Sequence, residues 1–151
     1  MKIERGFVLN APLDVIWSSL KDTQLMSQCL PGAELTEDND PDNLRGSLSV
    51  RLGPVAAAFK GTVAVTRDEI SHAGSLHAEG IDKRTRTRVR ADITYSLFPD
   101  HEGTKVALVC DFSLAGALAQ FARQTLIDKV ACELIEGFSN NLQQRLTSIR
   151  I

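Results

Sequence analysis

The sequence carries no surplus of positive charge and no long apolar run. Lysine and arginine number 17 against 19 acidic residues, which gives a formal net charge of -2. Proteins that neutralise nucleic-acid phosphates normally show a basic balance or stripe, so we expect no nucleic-acid partner. No stretch approaches the roughly 18 consecutive apolar residues of a membrane-spanning helix. The first residues also lack the apolar segment of a signal peptide, and we predict a cytoplasmic protein.

The sequence is equally poor in groups that mark metal sites and catalytic motifs. Its three cysteines, Cys29, Cys110 and Cys132, are far apart and form no CxxC pair, so we expect neither a disulfide framework nor a zinc site. The three histidines have no metal-ligand spacing with one another or with a carboxylate. P-loop, dinucleotide-binding and GxSxG motifs are absent. We therefore predict a protein without a metal, a cofactor or a catalytic residue.

Aromatic residues make up only 5% of the chain, so aliphatic and small side chains must do most of the packing. A length of 151 residues suits one domain, residues 1–151, which is long enough to bury a core. After a first strand at residues 2–10, Asn10 and Asp22 are predicted to cap two short helices, the second of which ends before Pro31.

Apolar residues then alternate with polar ones along most of the remaining chain. This period of two is typical of half-buried antiparallel strands. The predicted strands are residues 44–52, 55–65, 75–81, 91–97 and 104–114. Residues 116–150 change to apolar spacings of three and four, which predicts one long amphipathic helix.

The order of these elements predicts an α+β fold. A seven-stranded antiparallel sheet with one apolar face will curl, and the long C-terminal helix can lie in its concavity. The two short helices after strand 1 close one end. Because a curved sheet does not touch a straight helix everywhere, an apolar cavity can remain between them.

Three groups of residues along the chain resemble one protein family. They are Cys-Leu-Pro-Gly at 29–32, then Gly46 with 50–54 and 59–61, and finally 116–123 with 126–127 and 130–131. In this order they resemble the CoxG family of carbon monoxide dehydrogenase subunits, within the START and Bet v 1-like (SRPBCC) superfamily. The resemblance runs along nearly the whole chain and implies a helix-grip fold.

Members of that family are encoded beside molybdenum-containing carbon monoxide dehydrogenases and related hydroxylases. The resemblance therefore implies an accessory, non-enzymatic role. The expected ligand is a hydrophobic small molecule, a quinone or a lipid. The expected partners are a molybdenum hydroxylase complex and the inner surface of the membrane.

Candidate ligand contacts are the apolar residues expected on the inward faces of the strands, at the start of the long helix and at the cavity mouth. They are Leu30, Pro31, Val50, Leu52, Phe59, Val63, Ile93, Tyr95, Leu108, Phe112, Leu118, Phe121, Ala122 and Leu126. Each alone is more often plain core than a ligand contact. Small residues at 56–58 and Gly61, where a filled core needs bulk, favour a cavity. We expect residues 118–126 to touch the ligand and residues 130–146 to pack as core.

Residues 81–90 are markedly basic, where the resembling family is richer in glycine. On a strand the arginines of this stretch share the outward face. They are Arg84, Arg86, Arg88 and Arg90. One interpretation is a docking stripe for an acidic partner or anionic lipid head groups. The other is a solvated face whose arginines pair with acids such as Asp68, Glu79 or Asp111.

Two alternatives to a binding module stay open. A small enzyme of the polyketide cyclase/dehydratase type has the same fold, but it needs acid–base groups inside the cavity. The inward positions of this sequence are almost uniformly apolar. A structural adaptor without a ligand would instead have a filled core. The fold by itself does not decide among these functions.

Overall fold

The computed structural model of the chain describes residues 1–36 and 40–149. Within them, seven strands precede the last of three α-helices. The elements are β1 (Lys2–Leu9), α1 (Leu13–Lys21), α2 (Thr23–Cys29), β2 (Ala33–Leu35), β3 (Asn43–Leu52), β4 (Val55–Asp68), β5 (Ala73–Asp82), β6 (Thr87–Asp100), β7 (Gly103–Ala115), a 3₁₀ segment (Ala117–Phe121) and α3 (Gln124–Ile149).

The strands form one antiparallel sheet in the order β1-β7-β6-β5-β4-β3-β2. β4 and β6 are 14 residues long, and long paired strands twist and coil because of their right-handed backbone preference. The curved seven-stranded sheet, the long C-terminal helix and the two short helices after β1 confirm the predicted α+β helix-grip fold. β2 is a three-residue edge strand that the alternation did not locate.

Side-chain alternation gives the sheet one apolar face and one polar face. In β4, Ala57, Phe59 and Val65 are buried, whereas their neighbours Lys60 and Thr62 are exposed. The buried set faces α3, which carries its own apolar stripe. The apolar faces of sheet and helix therefore cover each other, as the two periods in the sequence indicate.

The prediction of one helix over residues 116–150 is wrong at its start. Gly116 has a φ of +116°, and a Cβ there would collide with the carbonyl oxygen of Arg86. Two residues later, the backbone N–H of Leu118 donates to Thr87 Oγ1 at 3.0 Å. These contacts hold the chain against the sheet, so residues 117–121 form a separate 3₁₀ segment and α3 begins at Gln124. The predicted helix end, Arg150, lies outside the described residues.

One of the two predicted helix caps is confirmed. Asp22 Oδ1 accepts a hydrogen bond from the N–H of Leu25 at 3.1 Å and caps α2. Asn10 is not a cap, because α1 begins three residues later and Pro12 occupies its N-cap position. The backbone N–H of Asn10 instead donates to Gln143 Oε1 at 2.7 Å, which ties the end of β1 to α3.

The loop after α2 is packed directly on α3. Asn141 Nδ2 donates to the carbonyl oxygen of Cys29 at 2.8 Å. Pro31 lies against Gly137, where a Cβ would come within 2.6 Å of the Pro31 ring. Gly32, with a φ of +83°, then turns the chain into β2. The residues 29–32 thus hold the middle of α3 at a fixed place over the sheet.

Two separate groups of buried apolar side chains join the helices to the sheet. The first, which we call the α1-end cluster, comprises Leu9, Ala11, Ile16, Trp17, Cys29, Tyr95, Leu97, Val106, Leu142 and Leu146. The second, the turn-end cluster, comprises Ile3, Leu52, Ala57, Phe59, Leu118 and Ile127 and lies beside the turn between β3 and β4. Across the described residues, no helix is both long enough and apolar enough to cross a membrane.

Replacing Gly137 with alanine is expected to destabilise the protein, although alanine is favoured over glycine in a helix by about 1 kcal/mol. The added Cβ would lie 2.6 Å from Pro31 Cγ, and the proline ring cannot rotate away. The measurement is urea unfolding followed by circular dichroism. The matched control is Gly137→Ala in a Pro31→Ala background, where we expect no loss relative to Pro31→Ala alone. A single Gly137→Ala variant that is more stable than the wild type would contradict this close packing.

Candidate functional site

Between the two clusters, a set of inward-facing apolar side chains keeps access to solvent. These residues belong to neither cluster and are only half-buried, although α3 lies over the sheet. They are Leu48, Val63, Ala78, Ala91, Ile93 and Leu134, and we call the space that they surround the central gap. A close-packed interior would bury such side chains almost completely. Their partial exposure indicates looser packing here than in the two clusters.

Small residues lie at four inward positions of the central strands, but the two glycines serve close packing. A Cβ on Gly61 would collide with the carbonyl oxygen of Glu79, and a Cβ on Gly80 would lie 3.3 Å from Phe59 Cβ. Gly61 of β4 pairs directly with Gly80 of β5, and Ala78 of β5 pairs with Ala91 of β6. All four positions face α3, since they alternate with outward-facing residues. The expectation that residues 56–58 and Gly61 would leave room is not met. Ala57 is buried in the turn-end cluster, and its two neighbours are exposed on the outward face.

The structure divides the predicted ligand contacts among several places. Leu52, Phe59 and Leu118 are in the turn-end cluster, and Val50, Phe112 and Phe121 pack against it. Tyr95 is in the α1-end cluster, and Leu108 packs against it. Val63 and Ile93 lie in the central gap. Leu30, Ala122 and Leu126 are half-buried, and Pro31 is exposed beside α3.

The part of the C-terminal segment that faces the central gap differs from the expected one. Leu118 is only 3% exposed and fills the turn-end cluster, together with Ile127. Leu142 and Leu146 are buried at the other end. Leu134, one to two turns from the buried residues of either cluster, is half-buried and belongs to neither. The middle of α3 therefore covers the gap, and both of its ends are core.

At the turn end, the buried polar side chains are engaged within the protein. Asp82 accepts a hydrogen bond from Thr85 Oγ1 at 2.7 Å, inside the turn that joins β5 to β6. Thr85 Oγ1 also lies 3.0 Å from Thr87 Oγ1, which in turn accepts from the N–H of Leu118. This carboxylate and these hydroxyls fix the turn and the 3₁₀ segment. They do not present a free acid or base to the central gap.

At the opposite end, a group of polar and aromatic side chains borders the α1-end cluster. Trp17 Nε1 donates to Glu69 Oε2 at 2.6 Å, and the Trp17 ring lies 6.4 Å from the Tyr95 ring. Arg67 Nη1 donates to Asp42 Oδ1 at 3.3 Å. Burial raises the pKa of Tyr95, while the nearby Arg67 guanidinium acts in the opposite direction. Tyr95 was a candidate from the sequence, whereas Arg67 was missed.

Sequence reasoning missed Arg67 because the strand was predicted to end at Val65. β4 continues to Asp68, and the inward series Val63, Val65 and Arg67 places the arginine on the apolar face. A charged residue in the inward phase of a strand was the available signal, since such residues are seldom buried without a partner.

The basic stretch does not form the continuous strand that the sequence predicted. β6 begins at Thr87, and residues 83–86 form the turn before it. Arg86 has a φ of +55°, which breaks the alternation of a strand. Arg84 Nη2 donates to the carbonyl oxygen of Ala56 across the turn. Arg84 and Arg86 therefore lie at the end of the sheet instead of along its outward face.

Arg88 and Arg90 do lie on the outward face of β6. Arg90 Nε is 3.7 Å from Glu79 Oε1 on β5, one of the three acids considered as a partner. Beside them, His77 Nδ1 lies 2.5 Å from Asp92 Oδ1, and Nε2 lies 3.3 Å from Glu79. Hydrogen bonds to these two carboxylates raise the pKa of His77. This part of the outward face is therefore a mixed-charge surface.

Besides the central gap there are two open clefts, and the first also includes Val63. A cleft of about 430 Å³ is lined by Asp40, Asn43, Leu44, Arg45, Thr62, Val63, Ala64 and His77. A smaller cleft of about 180 Å³ lies between β1 and α3 and is lined by Arg5, Gly6, Phe7, Cys132, Ile135, Glu136, Ser139 and Asn140. Neither is bounded by both β6 and α3, so neither is the cavity that the fold predicts.

Two of the three cysteines have thiols that burial disfavours as thiolates, and the described residues gather no set of metal ligands. Burial raises the pKa of the Cys29 and Cys110 thiols, which keeps them protonated near neutral pH. No three His, Cys, Asp or Glu side chains among the described residues gather closely enough to hold a metal ion.

Comparison with known proteins gives one family and one fold. The sequence model of the CoxG family, described as a subunit of carbon monoxide dehydrogenase, matches residues 6–147. No curated protein matches the sequence. A conserved protein from Geobacillus kaustophilus has a similar structure, with a TM-score of 0.80 and 22% identity over 97% of this chain and 93% of that one.

Two further solved structures are similar at lower identity. A START superfamily protein from Mycobacterium smegmatis has a TM-score of 0.66 and 14% identity, with 98% of each chain covered. The Zhui aromatase/cyclase from a Streptomyces species has a TM-score of 0.63 and 15% identity over 96% of this chain and 92% of that one. At these identities the similarity establishes the START-like fold alone.

If the central gap is open space, it should accept added side-chain volume. We expect Ala91→Leu to change the free energy of unfolding little, because the new methyl groups enter the gap. The matched change Ala57→Leu places the same volume in the turn-end cluster, where Ala57 is 3% exposed, and should cost about 1–3 kcal/mol. Urea unfolding of both variants is the measurement. Equal destabilisation by both substitutions would show that the gap is as tightly packed as the cluster.

Proposed function

The chain belongs to the CoxG family of carbon monoxide dehydrogenase subunits, and we propose that it is a non-enzymatic module that binds a quinone or a lipid in the central gap. The family and the START-like fold support a helix-grip module that binds a ligand. The observation that carries the proposal is the partial exposure of apolar side chains between the two clusters. Apolar side chains that face each other across such a space favour a hydrophobic occupant.

The chemistry of the gap supports binding over catalysis. Its strand residues Leu48, Val63, Ala91 and Ile93 are aliphatic, and Leu134 faces them from α3. General acid–base catalysis needs a titratable group within hydrogen-bond reach of the substrate. The fold itself is compatible with an enzyme, since one similar structure is an aromatase/cyclase. These gap residues include no acid or base, so they do not favour that second function for the present chain.

The proposal extends to the partners of the module. A molybdenum hydroxylase complex is the partner that the family name suggests, and the ligand would be exchanged between that complex and the inner membrane surface. Arg84 and Arg86 in the β5–β6 turn, with Arg88 and Arg90 at the start of β6, provide the positive charge for such a surface. Anionic head groups attract basic residues by about 1 kcal/mol each near the membrane.

The ligand itself can be tested directly. Organic extraction and mass spectrometry of the purified protein are expected to find a co-purified quinone or lipid. Ala91→Leu should reduce the uptake of an added quinone analogue at least tenfold, because it occupies the gap without unfolding the protein. Ala64→Leu, on the outward face of β4, is the matched control and should bind as the wild type does. A protein that is always empty and takes up no analogue would refute the proposal.

The docking role of the arginines has its own test. We expect Arg86→Glu combined with Arg88→Glu to weaken co-sedimentation with vesicles that contain phosphatidylglycerol, with no effect on vesicles of phosphatidylcholine alone. The control is Lys2→Glu with Lys105→Glu, an equal change in net charge at outward positions of β1 and β7. Undiminished binding by the arginine variant, or equal loss in the control, would show that these arginines do not dock on the membrane.

A further inference from the structure

We propose that Arg67 and Tyr95 form a subsite that binds a neutral carbonyl oxygen at the head of the hydrophobic ligand. The subsite rests on the proposed function, because it borders the central gap in which that ligand would lie. It adds a head-group preference that an apolar gap alone does not provide.

The register of three strands brings the two side chains together. Arg67 of β4 pairs with Gly74 of β5, and Gly74 pairs with Tyr95 of β6. All three positions face the interior. A Cβ on Gly74 would collide with the ring and the hydroxyl of Tyr95, so the tyrosine lies across the glycine and points toward β4. The glycine is the reason that a phenol and a guanidinium from non-adjacent strands can meet over the sheet.

Arg67 has hydrogen-bonding capacity that the protein does not use. Its side chain is 14% exposed, and one guanidinium nitrogen pairs with Asp42. Its Nε is buried and has no acceptor among the residues that the structure describes. Because buried donors are nearly always satisfied, an unused N–H at the border of a binding space points to an acceptor on the ligand. The Arg67 guanidinium also donates a hydrogen bond to the Tyr95 oxygen, which leaves the phenol O–H as a second donor beside it.

The subsite adjoins both the gap and a set of flat rings. Tyr95 follows Ile93 as the next inward residue of β6, a separation of about 7 Å along the strand. Trp17 packs at 6.4 Å from the Tyr95 ring, and His72 packs edge-on to Trp17 at 5.4 Å. A ligand whose tail lies beside Ile93 would thus place its head between two donors and an aromatic wall.

The surrounding charges favour a neutral acceptor over a carboxylate. Asp42 already pairs with Arg67, and Glu69 accepts from Trp17 and lies 3.3 Å from Lys21 Nζ. A carboxylate head would therefore enter beside two existing negative charges that share the available cations. A ketone, quinone or ester carbonyl accepts the same hydrogen bonds without that repulsion.

The test compares two probes that share one alkyl chain, a 2-alkyl-1,4-naphthoquinone and the corresponding 2-alkylnaphthalene. Isothermal titration calorimetry should show that the wild type binds the quinone at least tenfold more tightly. Tyr95→Phe and Arg67→Met should each weaken quinone binding about five- to tenfold, the effect of one lost hydrogen bond, and leave hydrocarbon binding unchanged. The quinone should also quench the fluorescence of Trp17, which is the only tryptophan of the chain.

The control is Arg51→Met, which removes an exposed guanidinium from the outward face of β3 and should bind both probes as the wild type does. Circular dichroism checks folding, and Arg67→Gln replaces Arg67→Met if that variant unfolds. Equal wild-type affinity for both probes, or unchanged quinone affinity in the Arg67 and Tyr95 variants, would overturn the subsite and leave ligand binding in the gap intact. Tighter binding of an alkyl carboxylate than of the quinone would overturn the neutral preference. If the wild type binds neither probe, the proposed function fails and the subsite fails with it.

Discussion

A straight helix cannot remain in contact with a curved sheet along its whole length. α3 has 26 residues and is about 39 Å long, and its two halves pack against the two different clusters. Ile127 is buried near its start, and Leu142 and Leu146 are buried near its end. Between these contacts, the loop at residues 29–32 packs on α3 and fixes its distance from the sheet. The central gap is a consequence of this geometry.

The polar side chains near the interior are placed at the two ends of the gap, and this placement bears on function. At the turn end, the Asp82 carboxylate accepts a hydrogen bond from Thr85 and stabilises the turn between β5 and β6. Arg67 and Tyr95 at the other end can donate hydrogen bonds, and neither is a group that readily gives up a proton near neutral pH. An apolar middle with donors at one end suits recognition of an amphiphile. It does not suit a reaction that needs proton transfer in the middle of the substrate.

The strands were predictable because their alternation is a local property, but the start of α3 was not. The sequence after Gly116 has helical periodicity, and the break depends on the carbonyl of Arg86, which lies far earlier in the chain. The same contact explains why the basic stretch failed as a strand. Arg86 adopts a positive φ in the turn that Gly116 packs against. Local propensity cannot reveal either feature, since each is imposed by a contact between distant segments.

The alternation predicted which strand residues face inward, but not which of them pack in the clusters and which border the central gap. Inward residues such as Val63 and Phe59 have the same pattern in sequence, yet one borders the gap and the other is core. What separates them is the place where α3 touches the sheet, which no strand encodes alone. Arg67 was missed for a different reason. Its polar side chain interrupts the apolar alternation, so the pattern did not show that this residue belongs to β4. Packing alone gives no reason for a charged residue at an inward strand position beside a paired glycine. Such a residue therefore indicates a binding site more strongly than another aliphatic residue at an inward position does.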